Sequence, residues 1–188
     1  MTVRLTLVSP ATTSALREAR FGGDEGLDGP GLRAAGAAAG ALPRPDRALT
    51  GPSRRCRETA TALGLRPERV PAPADCAMGT WHGRTLDEVS AAEPAAVSRW
   101  LSDPSAAPHG GESLRELCGR VGAWLDSLDP GHVVAVVEPG VVRATTVRAL
   151  DLPLETFWRL DVAPLTLTRL SGRLNRWNLR CGSAPGGG

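Results

Sequence analysis

Val3, Leu5 and Leu7 alternate with Arg4 and Thr6 before the chain meets Ser9-Pro10, the period-two pattern of a strand that empties into a loop. Residues 132–137 form an unbroken apolar run of strand length, as expected for a central strand buried on both faces. Just ahead of it, Leu114, Leu117, Val121, Trp124, Leu125 and Leu128 recur at helical spacing, which predicts an amphipathic helix over 112–128. The same reading places an Ala-rich helix at 32–42, stopped by Pro43. Another runs from an N-cap at Ser53 to about Leu63, with Gly64 as its stop. Further helices are predicted from about Thr85, where Asp87 and Glu88 suit the first turn, from Pro94 to Leu101, and over 140–150. Residues 46–50, 70–74, 165–170 and 174–179 read as short extended segments. The Gly-, Asp- and Pro-rich stretch 19–31, with 75–83 and 102–111, reads as loops.

Strands that alternate with helices predict an α/β domain, a three-layer α/β/α sandwich around a mostly parallel central sheet. Residues 1–182 are expected to form this single domain and 183–188 a flexible tail. Ligands in such sheets bind beyond the carboxyl ends of strands, so Val8/Ser9 and Val137/Glu138 mark where a site belongs.

Composition narrows this picture. At 188 residues with 41% hydrophobic content, the chain suits one well-filled soluble core. Its net charge of +2 gives no case for nucleic-acid or acidic-membrane binding, so any charged function must be local. All 22 basic residues are Arg, and Lys, Ile, Tyr and Gln are absent, a bias we read as the mark of a high-GC genome. The first residues are too short an apolar run for a signal peptide, and no run of eighteen apolar residues could span a bilayer, so the expected location is cytoplasmic. Cys56, Cys76, Cys118 and Cys181 lie far apart with no Cys-x-x-Cys or Cys/His cluster. They signal neither a disulfide framework nor a zinc site, and no metal or other cofactor is expected.

Several segments, in order along nearly the whole chain, resemble the histidine phosphatase (phosphoglycerate mutase-like) superfamily. Leu7-Val8-Ser9-Pro10-Ala11 is similar to its Leu-Val-Arg-His-Gly, and Ala19-Arg20-Phe21-Gly22-Gly23 to its Arg-Phe-x-Gly loop. Thr50-Gly51-Pro52-Ser53-Arg54-Arg55-Cys56-Arg57-Glu58-Thr59-Ala60 resembles the family's Ser-Pro-Leu-x-Arg-Ala-x-x-Thr-Ala. Asp75 to Gly83 resembles Glu-x-x-Phe-Gly-x-Trp-Glu-Gly. Gly110-Gly111-Glu112-Ser113 matches Gly-Gly-Glu-Ser, and Val136 to Ala144 is similar to Val-Ser-His-Gly-Gly-Val-Ile-Arg-Ala.

The resemblance implies a phosphohistidine mechanism and, at the same time, its loss. In relatives a His attacks phosphorus, two Arg and a second His grip the phosphoryl oxygens, and a carboxylic acid protonates the leaving group. Here Pro10 stands at the nucleophile position, with no nucleophilic side chain. Ser9 replaces the first Arg and Glu138 the second His, while Arg55 keeps one clamp and Asp75 keeps a carboxyl. Each carboxylate set ~4 Å from a bound phosphate would cost about 1 kcal/mol in water and about 4 at an effective dielectric of 20.

Two readings follow. In the first, the old phosphate pocket is repurposed for a small molecule: Glu138 and Asp75 act as an acid/base pair, while Arg55, Ser9, Arg20 and His82 bind. In the second, the protein is a catalytically inactive pseudophosphatase that binds or scaffolds, and Glu138 merely pairs with Arg55 or Arg143. A surviving phosphatase would need Ser9, Thr12 or Cys56 as nucleophile, and none has an evident base. The expected partner is a small-molecule ligand, with no nucleic acid and no membrane, and the chain is expected to be a monomer or homodimer.

Overall fold

The computed structural model describes residues 1–173 and 176–181, so the expected tail at 183–188 lies outside the described residues. Among these, the strands form one sheet in the order β3-β2-β4-β1-β5-β6. They are β1 (Val3–Val8), β2 (Arg47–Thr50), β3 (Glu68–Arg69), β4 (Gly131–Val136), β5 (Leu167–Arg173) and β6 (Arg176–Arg180). From β3 to β1 every pairing is parallel, whereas β5 runs antiparallel to β1 and β6 antiparallel to β5. The sheet is therefore mixed, with its parallel half towards β3.

The alternation in β4 shows why its sequence is apolar throughout. Val133, Ala135 and Val137 face the larger core, with Leu5 and Leu7 of β1 and the inner sides of α6 (Leu114–Asp126) and α7 (Pro139–Ala149). Val134 and Val136 face the opposite way and pack, with Val8, on Cys56, Ala60 and Leu63 of α3 (Arg54–Ala62) and the turn after it. Burial of both faces leaves no position for a polar side chain.

Local chemistry sets the helix ends. Ser53 caps α3 by accepting from the Cys56 N–H, as expected. Thr85 and Ser113 each form a reciprocal capping box, with Glu88 at the start of α4 (Leu86–Ala92) and Glu116 at the start of α6. The helix expected at 32–42 instead starts earlier, as α2 (Gly29–Ala37), because Asp28 caps it and Pro30 sits in its first turn. A short α1 (Ser14–Arg17), capped by Thr13, follows β1. Pro94 opens α5 (Pro94–Ser102), as expected. No strand forms at the expected 70–74; the two residues of β3 lie just ahead of it, and Val70 still donates to the Thr50 carbonyl.

A third, smaller cluster stands over the carboxyl ends of the strands. Met78, Trp81, Val89 and Val97 pack with Phe21 and Trp100, and Trp81 is fully buried. Its indole N–H donates to the Glu93 carboxylate at 3.1 Å. His109 is buried in the same cluster, its ring 5.1 Å from that of Trp81, and its Nδ1 accepts from the Gly111 N–H at 3.0 Å. It is thus a core histidine. Two close backbone approaches hold the layer together: any side chain at Gly79 would strike the His109 carbonyl, and any at Gly111 the Ala77 carbonyl.

Candidate functional site

The carboxyl end of β4 delivers Glu138, the residue that precedes α7. Its carboxylate does not cap its own helix but reaches across to the start of α3. There Arg55 grips it from two sides: Nε donates to Oε1 at 2.9 Å and Nη2 forms a short contact with Oε2. Ser53 donates its hydroxyl to the same Oε1 at 2.6 Å, and the Cys56 thiol lies 3.5 Å from it. The Glu138 side chain is only 3% exposed and that of Arg55 19%, so the pair is desolvated and two-pronged. The N-termini of α3 and α7 both meet at this carboxylate, a position that favours negative charge. Burial by itself would lower the Arg55 pKa, but the Glu138 hydrogen bonds and charge outweigh it and raise it.

An open cavity of about 410 Å³ lies beside this pair. Asp75, Arg55, Arg20 and Arg143 line it, with Phe21, Trp100, Phe157 and Trp158 among its apolar walls. Asp75 is exposed on the wall, yet protein atoms crowd its carboxyl on the inner side. That crowding and the charge of Glu138 push its pKa up to about 6, against the pull of Arg55 and the Cys76 N–H. The loop that carries Asp75 is tied down by Arg120. This guanidinium donates to the carbonyls of Ala72 and Ala74 and pairs with Glu112 at 2.6 Å.

Arg143, one helical turn into α7, also reaches the cavity. Its guanidinium stacks over the Phe157 ring at 5.6 Å, and its Nε is buried with no acceptor among the described residues. Trp100 and Trp158 meet edge to face at 4.5 Å and form the apolar wall beyond it.

The residues singled out from sequence thus separate. Asp75, Arg55 and Arg20 lie on the cavity wall, although Arg20 is engaged with the Gly83 carbonyl and Glu18. Glu138 sits behind the wall, held by Arg55. Ser9 is buried away from the cavity, where its hydroxyl donates to the Ala163 carbonyl at 2.6 Å and accepts from the Thr166 N–H. Pro10 is buried beside it. His82 is exposed behind the glycine loop, its ring against Gly22. Arg143, which falls at the Arg of the Val136–Ala144 motif but was not singled out as a binding residue, and Trp100 and Trp158 are brought to the cavity by the tertiary fold. Among the described residues no three His, Cys, Asp or Glu side chains gather to hold a metal ion. No described helix is long and apolar enough to cross a membrane.

Comparison with known proteins agrees with this layout. The profile of the histidine phosphatase superfamily (branch 1) matches residues 7–183. The chain belongs to the histidine phosphatase superfamily. A glucosyl-3-phosphoglycerate phosphatase of Mycolicibacterium vanbaalenii is 31% identical over 158 residues, 66% of this chain and 70% of that protein. A bifunctional protein of Mycobacterium tuberculosis is 31% identical over 181 residues, 87% of this chain but 49% of that protein, so the chain spans about half the length of that relative. The structure of a mycobacterial glucosyl-3-phosphoglycerate phosphatase in complex with VO3 superimposes with a TM-score of 0.83 at 29% identity, over 94% of this chain and 96% of that one. The superfamily's fold is therefore present throughout.

Proposed function

We propose that this histidine phosphatase fold no longer performs phosphohistidine chemistry and that its cavity binds a small organic molecule, with Asp75 as the acid/base group of a non-phosphoryl reaction. One observation carries the proposal: the Glu138 carboxylate already occupies the Arg55 guanidinium at the meeting of two helix N-termini. An internal anion holds the place that suits an oxyanion, and Pro10, at the family's nucleophile position in the sequence, offers no nucleophile.

What remains accessible favours a different ligand. Arg143 is a cation without a carboxylate partner among the described residues, and it faces a cavity walled by Trp100, Phe157 and Trp158. A compact organic acid with an apolar body satisfies both, its carboxylate on Arg143 and its body against the indoles. Asp75, with a pKa near 6, exchanges a proton readily at neutral pH, so Oδ1 or Oδ2 can take one from such a ligand and return it. The immobilised Glu138 tunes Asp75 by its charge instead of sharing the proton transfer.

The names of the relatives point to the assay that tests this. Purified protein incubated with glucosyl-3-phosphoglycerate or p-nitrophenyl phosphate should release no phosphate above background, and vanadate should not bind in calorimetry. Small aromatic and aliphatic carboxylates should raise the melting temperature, and Arg143→Ala should remove that response. Phosphate release that disappears in Asp75→Asn would refute the proposal. Ligand binding unchanged in Asp75→Asn, with no turnover by either protein, would favour the second reading, a binding protein without chemistry, to which the locked Glu138 also lends weight.

A further inference from the structure

The helices α2 and α3 cover one face of the sheet only over β2, β4 and the carboxyl end of β1. Towards β5 and β6 this face is bare, and strand alternation decides what it displays. Leu5, Leu7, Leu170, Trp177 and Leu179 point to the α6/α7 side, so Arg4 and Thr6 of β1, Arg169, Ser171 and Arg173 of β5, and Arg176, Asn178 and Arg180 of β6 point the other way.

The register turns this into a grid. Arg169 stands opposite Arg180, Arg173 opposite Arg176, and Arg4 opposite Ser171, which itself faces Asn178. Directly opposed residues hold their Cβ atoms about 4.5–5.5 Å apart, and like charges placed so are destabilising. Some arginines elsewhere are neutralised by carboxylates, Arg47 by Glu68 and Asp129 and Arg148 by Asp126. None of the five arginines on this face has such a partner among the described residues. Asp46, beside the start of β4, accepts from the His132 N–H at 2.7 Å and pairs with none of them. Two shallow depressions run across the same residues, one bounded by Arg4, Arg169 and Arg180 and the other by Arg173, Arg176 and Asn178. The near-zero net charge of the chain conceals this local excess.

We propose that this bare face docks the phosphate backbone of a nucleic-acid duplex, a function separate from the cavity on the other side of β1. Charge complementarity selects a polyanion, and the arginines are interspersed with Ser171 and Asn178, hydroxyl and amide donors of the kind that hold phosphate oxygens, while the buried Thr6 hydroxyl is engaged with His132. The grid has no Phe, Tyr or Trp on which unpaired bases could stack, and its one imidazole, His132, is engaged with Thr6 and the Arg44 carbonyl, which favours a duplex over a single strand. Its exposed apolar side chain, Leu167 at the start of β5, stands alone, without the Trp or Tyr anchors that dominate protein–protein contacts. Binding is therefore sequence-independent and electrostatic.

Fluorescence anisotropy with a labelled duplex of mixed sequence tests this in the intact protein. Up to five neutralised phosphates predict that affinity falls on the order of 10²- to 10³-fold between 50 and 200 mM salt. Each of the double variants Arg169→Gln/Arg180→Gln and Arg173→Gln/Arg176→Gln should flatten the salt slope by roughly two. Because each relieves a like-charge pair, neither should lower the melting temperature, whereas Arg99→Gln on α5 should leave binding intact. No binding at 50 mM salt, or a slope that the double variants do not change, would overturn the proposal. So would tighter binding to polyglutamate, to anionic vesicles or to a single strand than to the duplex.

Discussion

The carboxylate of Glu138 and the guanidinium of Arg55 meet through two contacts in a space almost closed to solvent, with Ser53 completing the coordination of Oε1. Such a pair holds the strand β4 end against the start of α3, and breaking one side strands a buried charge. Glu138→Gln should therefore lower stability by about 3 kcal/mol or more, roughly 6–12 °C in melting temperature for a chain of this size. Replacing both residues together with leucine and methionine should restore most of that loss, since well-packed apolar pairs match buried ion pairs. Thermal denaturation of the two variants checks both statements.

Asp75 makes stability fall as pH rises. Its folded pKa, about 6, lies above its ordinary 3.8, so the folded state holds the proton more tightly. The stabilisation is complete below pH 4 and is lost as pH climbs through 6. Asp75→Asn should abolish this slope and be more stable than the parent protein at pH 8, by less than full burial would imply because the residue faces solvent. Urea midpoints of the two proteins at intervals from pH 4 to 8 measure the difference.

His109 acts in the opposite sense. Burial lowers its pKa below the ordinary 6.5, so the folded state resists its protonation. Its contribution is intact above pH 6.5 and declines as the solution becomes more acidic. His109→Asn keeps an acceptor for the Gly111 N–H but cannot titrate. The stability gap between the parent and this variant should be constant at pH 7–8 and narrow below 6.5.

The thiols should divide sharply in reactivity. Desolvation and the Glu138 charge raise the Cys56 pKa well above 9, and burial pushes Cys118 up to about 11 and Cys76 up to about 12. The thiolate is the reactive form, so none of the three attacks a thiol reagent quickly, and Cys56 is a poor substitute nucleophile. Cys181 is exposed. Titration with a chromogenic disulfide should consume one thiol at once and the other three only in denaturant.

Strand and helix positions were legible where a local rule acts alone. β1 ends where Ser9-Pro10 stops it, β4 lies within one residue of its apolar run, and Ser53 caps α3. Direction was not legible, because the period-two pattern of β5 and β6 is the same whichever way a strand runs, and their antiparallel pairing emerges only in the assembled sheet. The last strand, expected at 174–179, is described from Arg176 to Arg180, with 174 and 175 outside the described residues. At the site, motif position identified Asp75 and Arg55, and left open whether Glu138 would turn to Arg55 or Arg143. Hydrogen bonding across helix starts decides for Arg55. Arg120 and the Trp100–Trp158 wall act through long-range packing, which leaves no local trace.

The position of β1 has a consequence for biogenesis. β1 is a central strand made before both of its partners, bonded to β4 from Gly131 onwards and to β5 from Leu167 onwards. Its leading partner is more than a hundred residues behind it, so a ribosome working at ~5–20 residues per second leaves Val3 to Val8 unpaired for roughly 6–25 s. Throughout that interval an apolar segment waits with both edges open, a prime site for chaperone capture. Refolding from denaturant must close the same long loops and should be slow for a chain of this length.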